Sequence, residues 1–205
     1  MLDYVFDAMD RRDRGMAAHY FFLYSAVRGL HAQSVFEFGA GMSTRVILDA
    51  LADTGGKLIS VSTDEDYVVL ECAFPKPYSR PPHTRWLHET GLSRDVLRDR
   101  EIPPRDLVLH DGAHDYETVR ADLAAVLPHV KRGGLGLIHD SAHSHGGNDV
   151  DRAVTSAESG VNHAVERIEL PYGYGLTILR RIGGPDVVRV NAFDKPSSPH
   201  HTKAP

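Results

Sequence analysis

Three features of this 205-residue chain predict an α/β fold, a parallel sheet with helices on both faces. From residue 34 onward, short apolar runs suited to buried strands alternate with segments of helical periodicity. The first run, Ser34-Val-Phe-Glu-Phe-Gly-Ala-Gly-Met-Ser-Thr44, passes from a strand through a glycine turn into a helix start. The last two runs flank Pro171-Tyr-Gly173 and read as an antiparallel hairpin. One domain is expected over residues 1–182, including an N-terminal helical segment at 1–30, with an extension rich in Pro, Ser and His over 183–205.

Tyr4, Val5, Met9, Ala17, Phe21, Leu23 and Val27 predict one or two helices in 3–30, a packing or lid segment broken by charges at 11–14. Strand one is 34–38. Its helix is 43–53, with Ser43 or Thr44 as N-cap and Gly55-Gly56 as its close. Strand two is 57–62. A helix at 63–71 carries Asp64, Glu65 and Asp66 in its first turn, where acids suit the helix dipole. Four prolines make 74–83 a loop. Strand three lies near 84–88, and a short polar helix follows at 92–99. Strand four is 106–110, ending at Asp111-Gly112. The spacing of Tyr116, Val119, Leu123, Val126 and Leu127 predicts an amphipathic helix over 115–127. Pro128 and Gly133-Gly134 stop it, and strand five, 135–139, ends at Asp140. After Gly146-Gly147 come a helix at 150–159 and the hairpin strands 163–170 and 174–181.

Composition narrows the function. The formal charge of −5, from 23 basic and 28 acidic residues without a basic run, argues against a nucleic-acid partner. A single cysteine, Cys72, excludes an internal disulfide framework and a multi-cysteine zinc site. The N-terminus carries acids where a signal peptide carries Lys or Arg, and the apolar patch at 20–24 is too short to span a bilayer. A cytoplasmic protein with a small-molecule substrate and no membrane partner is expected; homo-oligomerisation stays open. Of the 13 histidines, several fall in the second half near acids.

The glycine turn is the first candidate site. Glycines let a ligand approach the backbone closely, and the free N–H groups of a helix start favour a negative group. A dinucleotide fingerprint would place a third glycine where Thr44 stands and its acid about 20 residues downstream. Here the acid is Glu37, two residues before Gly39. A solvated acid at an ordinary turn is the alternative reading. Acid-x-Gly-x-Gly at the end of strand one resembles motif I of class I S-adenosylmethionine (SAM) methyltransferases. The resemblance covers 34–182. It implies a Rossmann-like seven-stranded sheet of order 3-2-1-4-5-7-6 with strand 7 antiparallel, and SAM as cofactor. Carried over by position, it implies Glu37, Gly39, Gly41, Ser43, Thr44, Ser62, Asp64 and Asp111 as cofactor-binding residues. The family usually has an acid directly after strand two for the ribose hydroxyls; this chain has Ser62, and its next acid is Asp64. Glu89 and Thr90 fall where the family contacts adenine, and Trp86 reads as core.

In a parallel sheet the ligand site lies beyond the carboxyl ends of the strands, an edge that collects Glu37, Ser62, Asp111 and Asp140. Strands four and five should be neighbours, so Asp111 and Asp140 should end roughly 5 Å apart. Two carboxylates that close repel unless neutralised, and a shared divalent cation would do so. Around them the chain reads Asp111-Gly-Ala-His-Asp-Tyr116 and His139-Asp-Ser-Ala-His-Ser-His145. Asp-Gly-x-His-x-Tyr, then a helix, a glycine pair and a strand ending in an acid, resembles the metal-dependent O-methyltransferases of the macrolide-sugar and cephalosporin-tailoring type. That resemblance implies Asp111 and Asp140 as metal ligands and His114 as general base. His139 stands where the branch has the first of two consecutive acids. As a ligand it would favour transition metals over Mg; alternatively it points into the sheet and Asp140 ligates alone. His114 could instead simply cap a helix or face solvent. His143 and His145 read as loop residues. The function implied is metal-assisted methylation of a small-molecule hydroxyl. Two rivals are a metal-dependent hydrolase or hydroxylase that does not use SAM, for which Ser62 speaks, and a non-catalytic nucleoside-binding or oligomerising domain, against which Asp111, His114 and Asp140 speak.

Overall fold

The structure is a computed structural model, and it describes residues 15–63, 85–98, 101–142, 148–161 and 164–184. The expected features at 3–14, 64–84, 143–147 and 185–205, including Asp64, Cys72, His143 and His145, lie outside the described residues.

A 3-10 turn at Met16–His19 leads into helix α1, Tyr20–Gly29. Strand β1, Ser34–Phe38, is followed by α2, Met42–Thr54, and β2, Lys57–Ser62. Strand β3 is Trp86–Thr90, and the short helix α3 is Ser93–Leu97. Then come β4, Arg105–His110; α4, Tyr116–Val126; β5, Val130–His139; and α5, Asp149–Gly160. The hairpin strands are β6, Val165–Leu170, and β7, Leu176–Arg181. The sheet order is β3-β2-β1-β4-β5-β7-β6. β1 to β5 pair in parallel, and β7 runs antiparallel to both β5 and β6.

The period of two along each strand divides the core. Val35, Leu58, Leu107, Leu109 and Leu137 point to the face covered by α1 and α2, where they meet Leu23, Val27, Val46, Ile47 and Leu51. Phe36, Phe38, Val61, Val108 and Ile138 point to the other face and meet Val119, Leu123 and Val126 of α4 with Val150 and Val154 of α5. Burying each such side chain contributes about 1.5–3 kcal/mol, which is why the apolar runs read as strands covered on both faces.

Several boundaries depart from the sequence reading: strand three, expected near 84–88, is Trp86–Thr90, and the hairpin strands each start two residues later than expected. Strand five starts at Val130, not 135, because the chain bulges within it: Arg105 pairs with Val130, but Leu107 pairs with Leu135. Gly133, at φ 82°, turns that bulge. The helix after strand one starts at Met42 with Gly41 at its N-cap, not Ser43 or Thr44. Those two hydroxyls are drawn to Glu37 instead.

The parallel registers align the strand ends. Phe38 lies beside His110, and His110 beside Ile138, so Gly39, Asp111 and His139 leave the sheet side by side. Among the described residues, no helix is long and apolar enough to cross a membrane.

Candidate active site

The turn after β1 is held from beneath by Glu37, which is fully buried. Ser43 Oγ donates to its Oε1 at 2.6 Å; Thr44 Oγ1 and Ser60 Oγ donate to its Oε2 at 2.7 and 2.6 Å. The network extends outward: Gly41 N–H donates to Thr44 Oγ1 at 2.9 Å, and Trp86 Nε1–H to Ser60 Oγ at 3.1 Å. One carboxylate therefore ties β1, β2 and the start of α2 together, and through Ser60 reaches β3. Burial pushes the Glu37 carboxyl up to about 7, against the opposing pull of its three hydroxyl donors.

Above this network, Gly39 sits at φ 82° with its amide on Val61 O at 2.9 Å. A Cβ there would lie 2.1 Å from the Asp111 carbonyl oxygen, so only glycine lets the first and fourth strand ends come this close. The turn forms one wall of a cleft of about 360 Å³. Phe38 to Ala40, Val61 to Thr63, Gly91 to Ser93 and Asp111 to Ala113 line it from four strand ends, and Thr118 and Asp122 line it from α4.

The expected cofactor residues thus separate into two groups. Gly39, Ser62 and Asp111 line the cleft; Ser62 Oγ is hydrogen-bonded to His88 Nε2 at 2.8 Å. Glu37, Ser43 and Thr44 are buried beneath the turn in contact with one another, and Gly41 caps the helix; none of these four lines the cleft. After β3 the lining residues are Gly91, Leu92 and Ser93, rather than Glu89 and Thr90.

Beside the cleft, the ends of β4 and β5 carry a cluster of charged groups. His139 Nδ1 lies 2.9 Å from Asp111 Oδ1 and 3.2 Å from Asp140 Oδ2. His114 Nε2 lies 2.5 Å from the same Asp140 oxygen. His139 is buried, whereas the His114 side chain is 59% exposed. Burial alone would lower the His139 pKa, but the hydrogen bonds and charges of Asp111 and Asp140 prevail and carry it up to about 10. Burial would likewise raise Asp140, and its two histidine partners hold it well below the usual carboxylate range instead. The hydrogen bond to Asp140 is the main cause of a raised His114 pKa.

The tautomer of His139 follows from its other nitrogen. Nε2 lies 2.8 Å from Gly173 O, a pure acceptor, so Nε2 carries hydrogen. Nδ1 then faces two carboxylates. It can carry a second proton and form an ion pair, or present its lone pair to a cation shared with Asp111 and Asp140. Among the described residues, these three offer ligand atoms all within 4.8 Å of one another. A ring whose far N–H is fixed on a backbone carbonyl is the usual support of a metal-ligating histidine. The donor set of one imidazole and two carboxylates therefore fits a divalent cation.

Several supporting residues were not foreseen. Asp140 stands at φ 56°, and Asn148 Nδ2 donates to its carbonyl oxygen and, at 3.2 Å, to that of Ala142, while Asn148 Oδ1 accepts from Val150 N–H at 2.9 Å. The Asn directly before α5 was a readable N-cap signal. His19 of the N-terminal turn is fully buried, donates from Nε2 to Tyr172 O at 2.9 Å and stacks on Tyr172 at 4.8 Å. It meets His139 edge-on, 5.6 Å between ring centres, so the turn before α1 and the β6–β7 hairpin both back the cluster. No sequence signal pairs residues 153 positions apart.

A profile of the family described as a methyltransferase domain matches residues 36–141, just over half of the chain. No curated protein matches it. Among solved structures, the chain is similar to an O-methyltransferase from Bacillus cereus in complex with SAH, at 14% identity and TM-score 0.62, covering 88% of each chain. It is similar to the O-methyltransferase TomG of Streptomyces achromogenes, involved in tomaymycin synthesis and solved with SAM, at 17% identity and TM-score 0.61, covering 89% of each. It is also similar to MycE of the mycinamycin biosynthetic pathway, solved with Mg, SAH and mycinamycin VI. There the identity is 18% and the TM-score 0.60, over 89% of this chain and 53% of MycE.

Proposed function

The chain belongs to the methyltransferase-domain family and has the class I SAM-methyltransferase fold, and on that premise we propose that it methylates a hydroxyl oxygen of a small molecule with the help of a divalent metal. The observation that carries this reading is the juxtaposition of the Asp111, His139, Asp140 and His114 cluster with the glycine-turn cleft. The SAM and SAH bound to similar structures, and the Mg bound to MycE, support it. The cleft volume suits a small-molecule ligand.

Gly39, Ser62 and Asp111 would face the cosubstrate, while Glu37, Ser43 and Thr44 act beneath it by fixing the turn. Asp111 and Asp140 would hold the metal through carboxylate oxygens and His139 through Nδ1. SAM supplies the electrophilic methyl group, and a bound cation supplies a Lewis acid that orients substrate oxygens and lowers a hydroxyl pKa. His114 is the proposed general base. Its Nε2–H is held by Asp140, which leaves Nδ1 open to take the acceptor hydroxyl's proton. Asp140 fixes the ring plane and stabilises the imidazolium that forms.

Family membership does not favour the rival reading of a hydrolase or hydroxylase without SAM. Calorimetry with SAM and SAH tests the proposal: dissociation constants in the micromolar range, about −8 kcal/mol, are expected. Absence of heat and of any thermal shift at millimolar ligand would remove it. Mass spectrometry of the purified protein should find a divalent metal that chelation strips.

A further inference from the structure

We propose that His19 is a positioning residue for the metal cluster: from the turn before α1 it fixes the hairpin turn at 171–175, and through that turn the ring of His139. The inference rests on the reading above that Asp111, His139 and Asp140 hold a divalent cation.

His19 is fully buried. Its Nε2 donates to Tyr172 O at 2.9 Å, which leaves Nδ1 as the acceptor of the neutral ring. Nδ1 is buried and has no hydrogen-bond partner among the described residues. Leaving a buried polar atom unpaired is costly, so for packing alone a phenylalanine would serve better. What a phenylalanine cannot supply is the Nε2–H. The use of this histidine therefore lies at the Tyr172 carbonyl.

That carbonyl belongs to a turn that needs support. Gly173, Tyr174 and Gly175 stand at φ 58°, 64° and 90°, three left-handed residues in succession. For Tyr174 that conformation is unfavourable, and such strain persists only where the surroundings over-determine it. The turn does not anchor itself by burying its aromatic rings, since Tyr172 and Tyr174 are both exposed. It is held by its backbone instead. Tyr172 O accepts from His19 and from Gly175 N–H at 3.0 Å, and Tyr174 O accepts from Ala142 N–H at 2.9 Å. The N-terminal turn presses close: a Cβ on Gly173 would lie 2.7 Å from Ala18 Cβ and 2.9 Å from Gly15 O. Between the two anchored carbonyls lies Gly173 O, the acceptor for His139 Nε2 at 2.8 Å.

The contacts thus run from His19 through Tyr172 and Gly173 to His139, whose Nδ1 faces Asp111 and Asp140. The His19 ring also meets the His139 ring edge-on, at 5.6 Å and 71°, and limits its tilt. Without the His19 donor, the hairpin loses this tie to the N-terminal turn. His139 is then free to rotate, and its Nδ1 is presented to the cation for less of the time.

The test uses the full chain, stripped of metal by chelation, with Co(II) as the probe, followed by calorimetry and by its visible absorption. His19→Phe keeps a buried ring and removes the donor; His19→Gln carries an amide N–H that can reach the Tyr172 carbonyl. Partners that orient a ligating histidine typically contribute about 10- to 100-fold in metal affinity. His19 acts from one carbonyl further out, so His19→Phe should bind Co(II) about 10-fold more weakly, with a shifted visible band. Its SAH dissociation constant should stay within about threefold of the wild type. His19→Gln should recover most of the Co(II) affinity and the wild-type band. If His19→Phe fails to fold, His19→Met, which also fills the space without a donor, is read in the same way. Co(II) affinity within about threefold of the wild type in the variant without a donor would overturn the inference and leave the metal reading standing. Equal losses in His19→Phe and His19→Gln, or a parallel loss of SAH binding, would also overturn it, since both mark a residue that only supports the fold. Failure of the wild type to bind Co(II) would overturn the metal reading and this inference together.

Discussion

Glu37→Gln tests the buried network under the glycine turn. Burial penalises the charge of the wild-type carboxyl and pushes it up to about 7 in the folded chain, from an ordinary 4.5. At about 1.4 kcal/mol per tenfold in proton affinity, that rise corresponds to roughly 3 kcal/mol. A raised carboxyl pKa means that the folded state binds the proton more tightly than the unfolded one. This contribution to stability is present in full below about 4.5 and is lost as pH climbs to about 7. Glutamine is isosteric and does not titrate. Urea unfolding of both proteins between pH 4.5 and 8.5 should show the wild type losing about 3 kcal/mol relative to the variant across the window, with a flat difference above it. Subtracting the variant cancels the other titrating groups that the two proteins share. Curves that stay parallel from pH 5 to 8 would mean that Glu37 keeps an ordinary pKa and that the three hydroxyl donors fully offset its burial. Glu37→Ala goes further, leaving Ser43 and Ser60 without their acceptor, and should weaken SAH binding by loosening the helix start.

His114→Ala should lower kcat by about 10²- to 10⁴-fold and leave the SAH dissociation constant nearly unchanged. A variant that keeps its rate but loses SAH or metal binding would make His114 structural. Asp111→Asn and Asp140→Asn should each reduce metal content by elemental analysis and abolish turnover. Full occupancy and activity in both would move the metal site elsewhere. His139→Glu should shift the metal preference towards Mg, since it replaces a nitrogen donor by a hard oxygen, whereas an unchanged profile would show that Nδ1 is not a ligand. Gly39→Ala should cost several kcal/mol in urea unfolding, because its Cβ would lie 2.1 Å from a backbone oxygen at a left-handed φ. A loss below about 1 kcal/mol would show that the turn can shift.

The sheet was legible in the sequence because its signals are local. Val35 and Phe36, or Leu107 and Val108, alternate between two covered faces, and the intervening helices repeat at their own period. The convergence of Asp111 and Asp140 was legible for the same reason, since parallel neighbours bring their carboxyl ends to one edge. Boundaries failed where a local rule met a distant partner. Ser43 and Thr44 look like N-caps, but a buried carboxylate seven or fewer residues away competes for their hydroxyls.

The surroundings of Glu37, His139 and Asp122 come from packing between distant segments. Reading along the chain suffices to see that an acid precedes the glycine turn. That this acid is buried and bound to Ser60 depends on β2 lying beside β1. The same reading shows that a histidine ends strand five. Which of its nitrogens faces the two aspartates depends on Gly173, 34 residues away, because the antiparallel return of β7 brings the hairpin's turn over the end of β5. Asp122 reads as one more polar position on an amphipathic helix, and only the packing of α4 against His110 removes it from water and leaves one of its oxygens without a partner among the described residues. Periodicity is set by neighbours along the chain, whereas desolvation and hydrogen-bond partners are set by whatever the fold brings alongside.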